Sequence, residues 1–147
     1  MRRSRAALVV VAAAALAAAC ATTVPLQRAQ IGALAKETPP GDVERILDKA
    51  TVVAQTEIVA NERPYLARHY RLLTGTRQEM TMVCTPTCIP IFVTVPVTSD
   101  YVVIQRMPAK ELHAWGTLEE LSKDSDTAVS SIMPIVKARL DEAKKKP

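Results

Sequence analysis

The residues with the most specific chemistry lie between Met80 and Cys88. In the stretch Met80-Thr81-Met82-Val83-Cys84, the side chains of Met80, Met82 and Cys84 fall on one face if the segment is a strand. Together with Cys88 they offer two thioethers and two thiols, which are soft ligands that suit Cu(I). The simpler interpretation places the methionines on a core face and joins the cysteines in a disulfide. We expect the disulfide, with no bound metal or other cofactor.

Cys20 is the third cysteine, and its surroundings are specific. It follows a basic start and an apolar run over residues 6–19, which is the pattern of a secretory signal. That run is shorter than the roughly 20 residues that a membrane-spanning helix needs. The stretch Leu16-Ala17-Ala18-Ala19-Cys20 resembles the lipobox of bacterial lipoproteins, with alanine where leucine is usual three places before the cysteine. The resemblance implies removal of residues 1–19 and acylation of Cys20. The alternative is ordinary cleavage beside Cys20, which leaves a free thiol.

The predicted location follows from these three cysteines. An odd cysteine in a secreted protein needs an explanation, and acylation of Cys20 supplies one. Cys84 and Cys88 then remain, and two thiols this close in sequence oxidise in the periplasm. Ala21 follows the cysteine, and resemblance to the lipoprotein class implies outer-membrane sorting when this residue is not aspartate. We expect a protein anchored by lipid in the bacterial outer membrane and facing the periplasm.

Charge and length narrow the class of function. Loss of residues 1–19 removes three arginines and leaves sixteen basic against fifteen acidic residues, a net charge of +1. The remaining basic residues alternate with acidic ones except at Lys144-Lys145-Lys146, so we expect no nucleic-acid partner. The mature length of 128 residues suits one domain.

The pattern of apolar residues predicts an α+β fold. Two short N-terminal helices are expected to pack on a small antiparallel meander, followed by an additional C-terminal helix. The helices are predicted over residues 26–36, 42–50 and 126–145, and the strands over 51–59, 65–74, 78–84, 89–97, 101–106 and 111–115. Pro134 leaves open whether the last helix kinks or begins near Ser131. Thr117 and Glu120 match a capping box. We expect six residues to be buried between the N-terminal helices and the sheet: Val43, Ile46, Leu47, Leu72, Val102 and Ile104.

The order of helices and strands resembles the small outer-membrane lipoproteins of the SmpA/OmlA (BamE-like) family. The similar segments are Gly41–Leu47, Tyr65–Leu73, Tyr101–Ile104 and Leu112–Gly116, within residues 30–116. The resemblance implies a non-enzymatic role near outer-membrane protein assembly. We divide the chain into a signal peptide over 1–19, a lipidated tether over 20–27, a BamE-like domain over 28–123, and a C-terminal helix with a basic tail over 124–147.

Catalysis is disfavoured, because the sequence contains no nucleophile elbow, phosphate-binding loop or HExxH motif. His69 and His113 have no further ligand at metal-binding spacing and are expected to be ordinary strand residues. The chain is therefore expected to bind an envelope protein, through exposed strand edges or the face near Trp115. The alternative is a copper-binding or thiol-redox lipoprotein that uses Met80, Met82, Cys84 and Cys88.

Overall fold

The computed structural model describes residues 23–145, so the predicted signal peptide and the predicted acylation of Cys20 lie outside the described residues. Four helices and four strands follow in the order α1 (Arg28–Gly32), α2 (Pro40–Leu47), β1 (Ala54–Ala60), β2 (Arg63–Cys84), β3 (Cys88–Arg106), β4 (Glu111–Thr117), α3 (Leu118–Ser122) and α4 (Thr127–Lys145). The predicted mixed α+β class is confirmed.

The four strands form one sheet in the order β1-β2-β3-β4, and all three neighbouring pairs are antiparallel. Two of these strands are much longer than the sequence predicted. The expected breaks near Gly75 and Ser99 are absent, so β2 and β3 each join two predicted strands. Near Gly75 the register only shifts, between Leu73 and Gly75, and the strand continues.

The core is divided between the two faces of the sheet. Val102 and Ile104 of β3 pack with α4, whereas Tyr101 and Val103 pack with the N-terminal helices. Alternate residues of one strand point to opposite faces, so the sheet lies between two layers of helices. The prediction that one core would hold all six named residues is therefore wrong for Val102 and Ile104. Of the others, Val43, Leu47 and Leu72 are buried on the N-terminal helix side, and Ile46 is partly buried there.

Helix α4 packs against the buried part of one face of the sheet. Six residues spaced three or four apart are buried against the strands: Ala128, Val129, Ile132, Met133, Val136 and Leu140. The Asp126 carboxylate accepts a hydrogen bond of 2.8 Å from the Ala128 amide and caps the start of the helix. Pro134 lies within the helix, so the alternative start near Ser131 is wrong. The predicted capping box at Thr117 and Glu120 is confirmed at the start of α3.

The residues before α1 are held to the edge of the sheet. Leu26 is fully buried, and its backbone forms hydrogen bonds with the Arg71 carbonyl (2.7 Å) and the Leu73 amide (2.9 Å). Val24 and Thr51 are also joined by their backbones. The sequence predicts Leu26 as the first residue of a helix that follows the tether, but α1 begins at Arg28, and Leu26 instead covers the outer edge of β2 as far as Leu73.

A polar cluster fixes α2 to the sheet. The Arg68 guanidinium donates two hydrogen bonds, of 2.9 and 2.8 Å, to the Glu44 carboxylate, and the Gln105 side chain donates a third of 3.2 Å. The hydrogen bonds from Arg68 are the main reason that the pKa of Glu44 lies below its ordinary value. These hydrogen bonds join α2 to β2 and β3, so we assign the cluster a structural role.

Candidate binding arm

The distal halves of β2 and β3 form a hairpin that extends beyond the rest of the sheet. Strand β1 pairs with β2 only as far as His69, Leu26 covers β2 to Leu73, and β4 pairs with β3 only from Tyr101. Between these limits β2 and β3 pair only with each other, and we call residues 75–97 the arm. At about 3.4 Å per residue, the stretch from Gly75 to Cys84 reaches roughly 30 Å.

The strand propensity of its residues and the disulfide at its tip stabilise the arm as a hairpin. Its β3 half is rich in β-branched residues, which favour strands. Its tip is the turn between Cys84 and Cys88, which are opposite each other in the register and joined by a disulfide. The predicted disulfide is thus confirmed. A ring this short stabilises the fold by only about 2 kcal/mol, so its main effect is to keep the tip closed.

Both faces of the arm are apolar and exposed. Every residue from Met80 to Thr94 is exposed, and none of them carries a charge. One face presents Met80, Met82 and Phe92, with Phe92 70% exposed, and the other presents Val83, Ile89, Ile91 and Val93. The two charges of the arm, Arg77 and Glu79, lie near its base and form an ion pair. Continuous exposed apolar surface of this kind marks a site of interaction.

The structure places Met80 and Met82 on the surface of the arm. The two methionines share one face with Cys84, as predicted, but their assignment to the core is wrong, since Met80 is 65% exposed and Met82 is also exposed. The physical reason is that neither layer of helices covers the arm. The bridged cysteines offer no thiolate, so only the two thioethers of the predicted soft-ligand set remain as donors.

The other residues considered from the sequence lie away from the arm. His69 is buried, and its Nε2 lies 2.9 Å from Asp100 Oδ1. His113 is partly buried with its ring against Tyr65, at a centroid distance of 5.1 Å. Trp115 is partly buried against the core on the N-terminal helix side. Within residues 23–145, no group of three or more His, Cys, Asp or Glu side chains is arranged to hold a metal ion.

The comparisons with family models, curated proteins and solved structures find no match to this chain. In the part of the chain that the structure describes, no helix is both long and apolar enough to cross a membrane. The candidate site therefore depends on the geometry of the arm.

One sequence signal could have indicated the exposed arm. Pro90 and Pro96 lie six residues apart in an otherwise strand-forming segment. Proline is confined to strand positions that donate no ladder hydrogen bond, such as those on an open edge.

Proposed function

We propose that this chain is a lipoprotein of the bacterial outer membrane, held by acylated Cys20 on the periplasmic side, and that it acts as a binding or scaffold protein without catalytic activity. The observation that carries the binding role is the arm, which is roughly 30 Å long and exposes apolar side chains on both faces of its distal part, between Met80 and Val93. Leaving such surface in water is unfavourable by about 25 cal/mol per Å², so a partner that covers it gains this free energy.

A protein partner fits the arm better than the lipid interior does. In the described part of the chain the arm has two open edges, and each edge carries backbone groups without ladder partners. In hydrocarbon each unsatisfied backbone group costs several kcal/mol, so an open hairpin does not enter it alone. A protein surface can cover the apolar faces and supply hydrogen-bond partners as well.

A role in envelope or outer-membrane protein assembly rests on the BamE-like resemblance. In this proposal the N-terminal helices pack on the meander as in that family, and the burial of Val43 and Leu47 against strand residues supports this. The arm and α4 lie outside the pattern of that family, so we propose that the arm determines which partner is bound. The copper alternative requires Cys84 and Cys88 to be reduced, and their bridge disfavours it. The thiol-redox alternative requires the pair to cycle between the bridged and the reduced form.

The proposal is tested by replacing residues 76–96 with the two-residue turn Asn-Gly, which connects Gly75 to Val97 in a tight hairpin. We expect the thermal midpoint to stay within a few degrees, because the buried core residues all lie outside the deleted segment. The protein that crosslinks to the full chain in the envelope should be recovered at about one tenth of the level or less, equivalent to 1.4 kcal/mol or more of binding free energy. Equal recovery from the full and shortened chains would show that the arm does not bind the partner.

A further inference from the structure

The two edges of the arm differ in their capacity to pair with another strand. Leu26 forms hydrogen bonds with backbone groups of Arg71 and Leu73, so these groups of β2 point away from β3. Arg71 and Leu73 lie opposite Asp100 and Thr98 of β3. Residues opposite each other share this orientation, so the even-numbered residues of β3 direct their backbone groups away from β2. Pro90 and Pro96 occupy such positions and lack the N–H group, so the outer edge of β3 has lost two of its donors. Proline on an edge in this way blocks the addition of a strand.

The outer edge of β2 has no such block. Beyond the register shift its even-numbered residues, from Thr76 to Met82, direct both N–H and C=O groups outward, because they lie opposite the even-numbered residues of β3. Within residues 23–145, no other segment bonds to this edge from Thr74, where the Leu26 contact ends, to Met82, just before the disulfide turn. The middle residue of this free stretch is Gln78.

The charges on the same edge favour one register of self-pairing. When two copies of β2 pair in antiparallel orientation with Gln78 opposite Gln78, Arg77 of each copy lies opposite Glu79 of the other. Shifting one strand by two residues relative to the other puts Arg77 opposite Arg77 or Glu79 opposite Glu79, and like charges directly opposite are destabilising. The register selected by charge is thus the one centred on the free edge.

We propose that two copies of this chain associate by antiparallel pairing of their β2 edges, centred on Gln78, to form a continuous eight-stranded sheet. The pairing is isologous, as expected for a two-fold dimer. It adds roughly six to ten backbone hydrogen bonds between the copies. The apolar faces stay available, so the inference goes beyond the proposed function and depends on neither acylation nor a second protein.

The test uses two cysteine variants of the full chain, Gln78→Cys and Thr94→Cys. Thr94 is the matched control, because it lies directly opposite Gln78 but on the edge that the prolines block. In the proposed dimer the two copies of position 78 form a hydrogen-bonded pair with Cα atoms about 5.5 Å apart, within the range of a disulfide. With a mild thiol oxidant, we expect about tenfold more linked dimer from Gln78→Cys than from Thr94→Cys on a non-reducing gel.

Peptide mapping must find position 78 of one copy linked to position 78 of the other. Adding Arg77→Glu should reduce this linkage, since glutamate then lies opposite Glu79, and adding Arg77→Glu together with Glu79→Arg should restore it. Equal linkage in both cysteine variants, no linkage in either, or linkage to Cys84 or Cys88 instead would overturn the proposal. Each of these results leaves the function proposed for the apolar faces unaffected.

Discussion

Replacing Ile104 with alanine is expected to lower the free energy of unfolding by about 2–5 kcal/mol, because the change leaves a cavity under α4. Ile104 has no exposed surface and belongs to the core that α4 covers. Ile91 is a matched control, since it has the same side chain on the same strand but is 40% exposed on the arm. Ile91→Ala should cost less than about 1 kcal/mol, the range of strand propensity.

Urea unfolding followed by the fluorescence of Trp115 measures both values, because this single tryptophan packs against the core. The comparison of Ile104→Ala with Ile91→Ala tests whether the distal half of β3 is exposed. Similar losses for both variants would show that the arm packs against the domain and is not an exposed extension of it.

Replacing Cys20 with alanine is expected to abolish partitioning into a detergent phase completely. The multiple acyl chains carried by a lipoprotein cysteine each contribute about 0.8 kcal/mol per buried methylene, and stable anchoring needs more than one chain. The control is the double variant Cys84→Ser with Cys88→Ser, which removes the other two cysteines and should partition like the original protein. Equal partitioning of Cys20→Ala would contradict the proposal that Cys20 is acylated.

Local signals in the sequence predicted the helical parts of the fold well. The apolar stripe from Ala128 to Leu140 identified α4, and Thr117 with Glu120 identified the start of α3. These features depend on spacing within a few residues, which a sequence displays directly. The stripe does not say which surface it covers, and so the assignment of Val102 and Ile104 to the N-terminal helices was wrong.

The arm could not be predicted in the same way. A strand that carries methionines and a cysteine on one face usually turns that face to the core, so the sequence predicts Met80 and Met82 as core residues. Burial depends on whether other elements reach the strand, and β1, β4 and the helices all end before the arm. The sequence predicts separate strands before and after Gly75, but in the structure this residue adjoins a register shift within one strand. The exposed arm is therefore a property of the tertiary structure.

The claim that the arm binds another envelope protein is tested most directly by a photoreactive amino acid at position 92 of the full chain in its native envelope. The control is the same amino acid at position 59, since Val59 is 73% exposed but lies at the end of β1 near the opposite end of the sheet from the arm tip. Irradiation should link position 92 to one discrete protein other than this chain, and position 59 should give no such product. Identical products from both positions, or no product from position 92 that contains a protein other than this chain, would contradict the account.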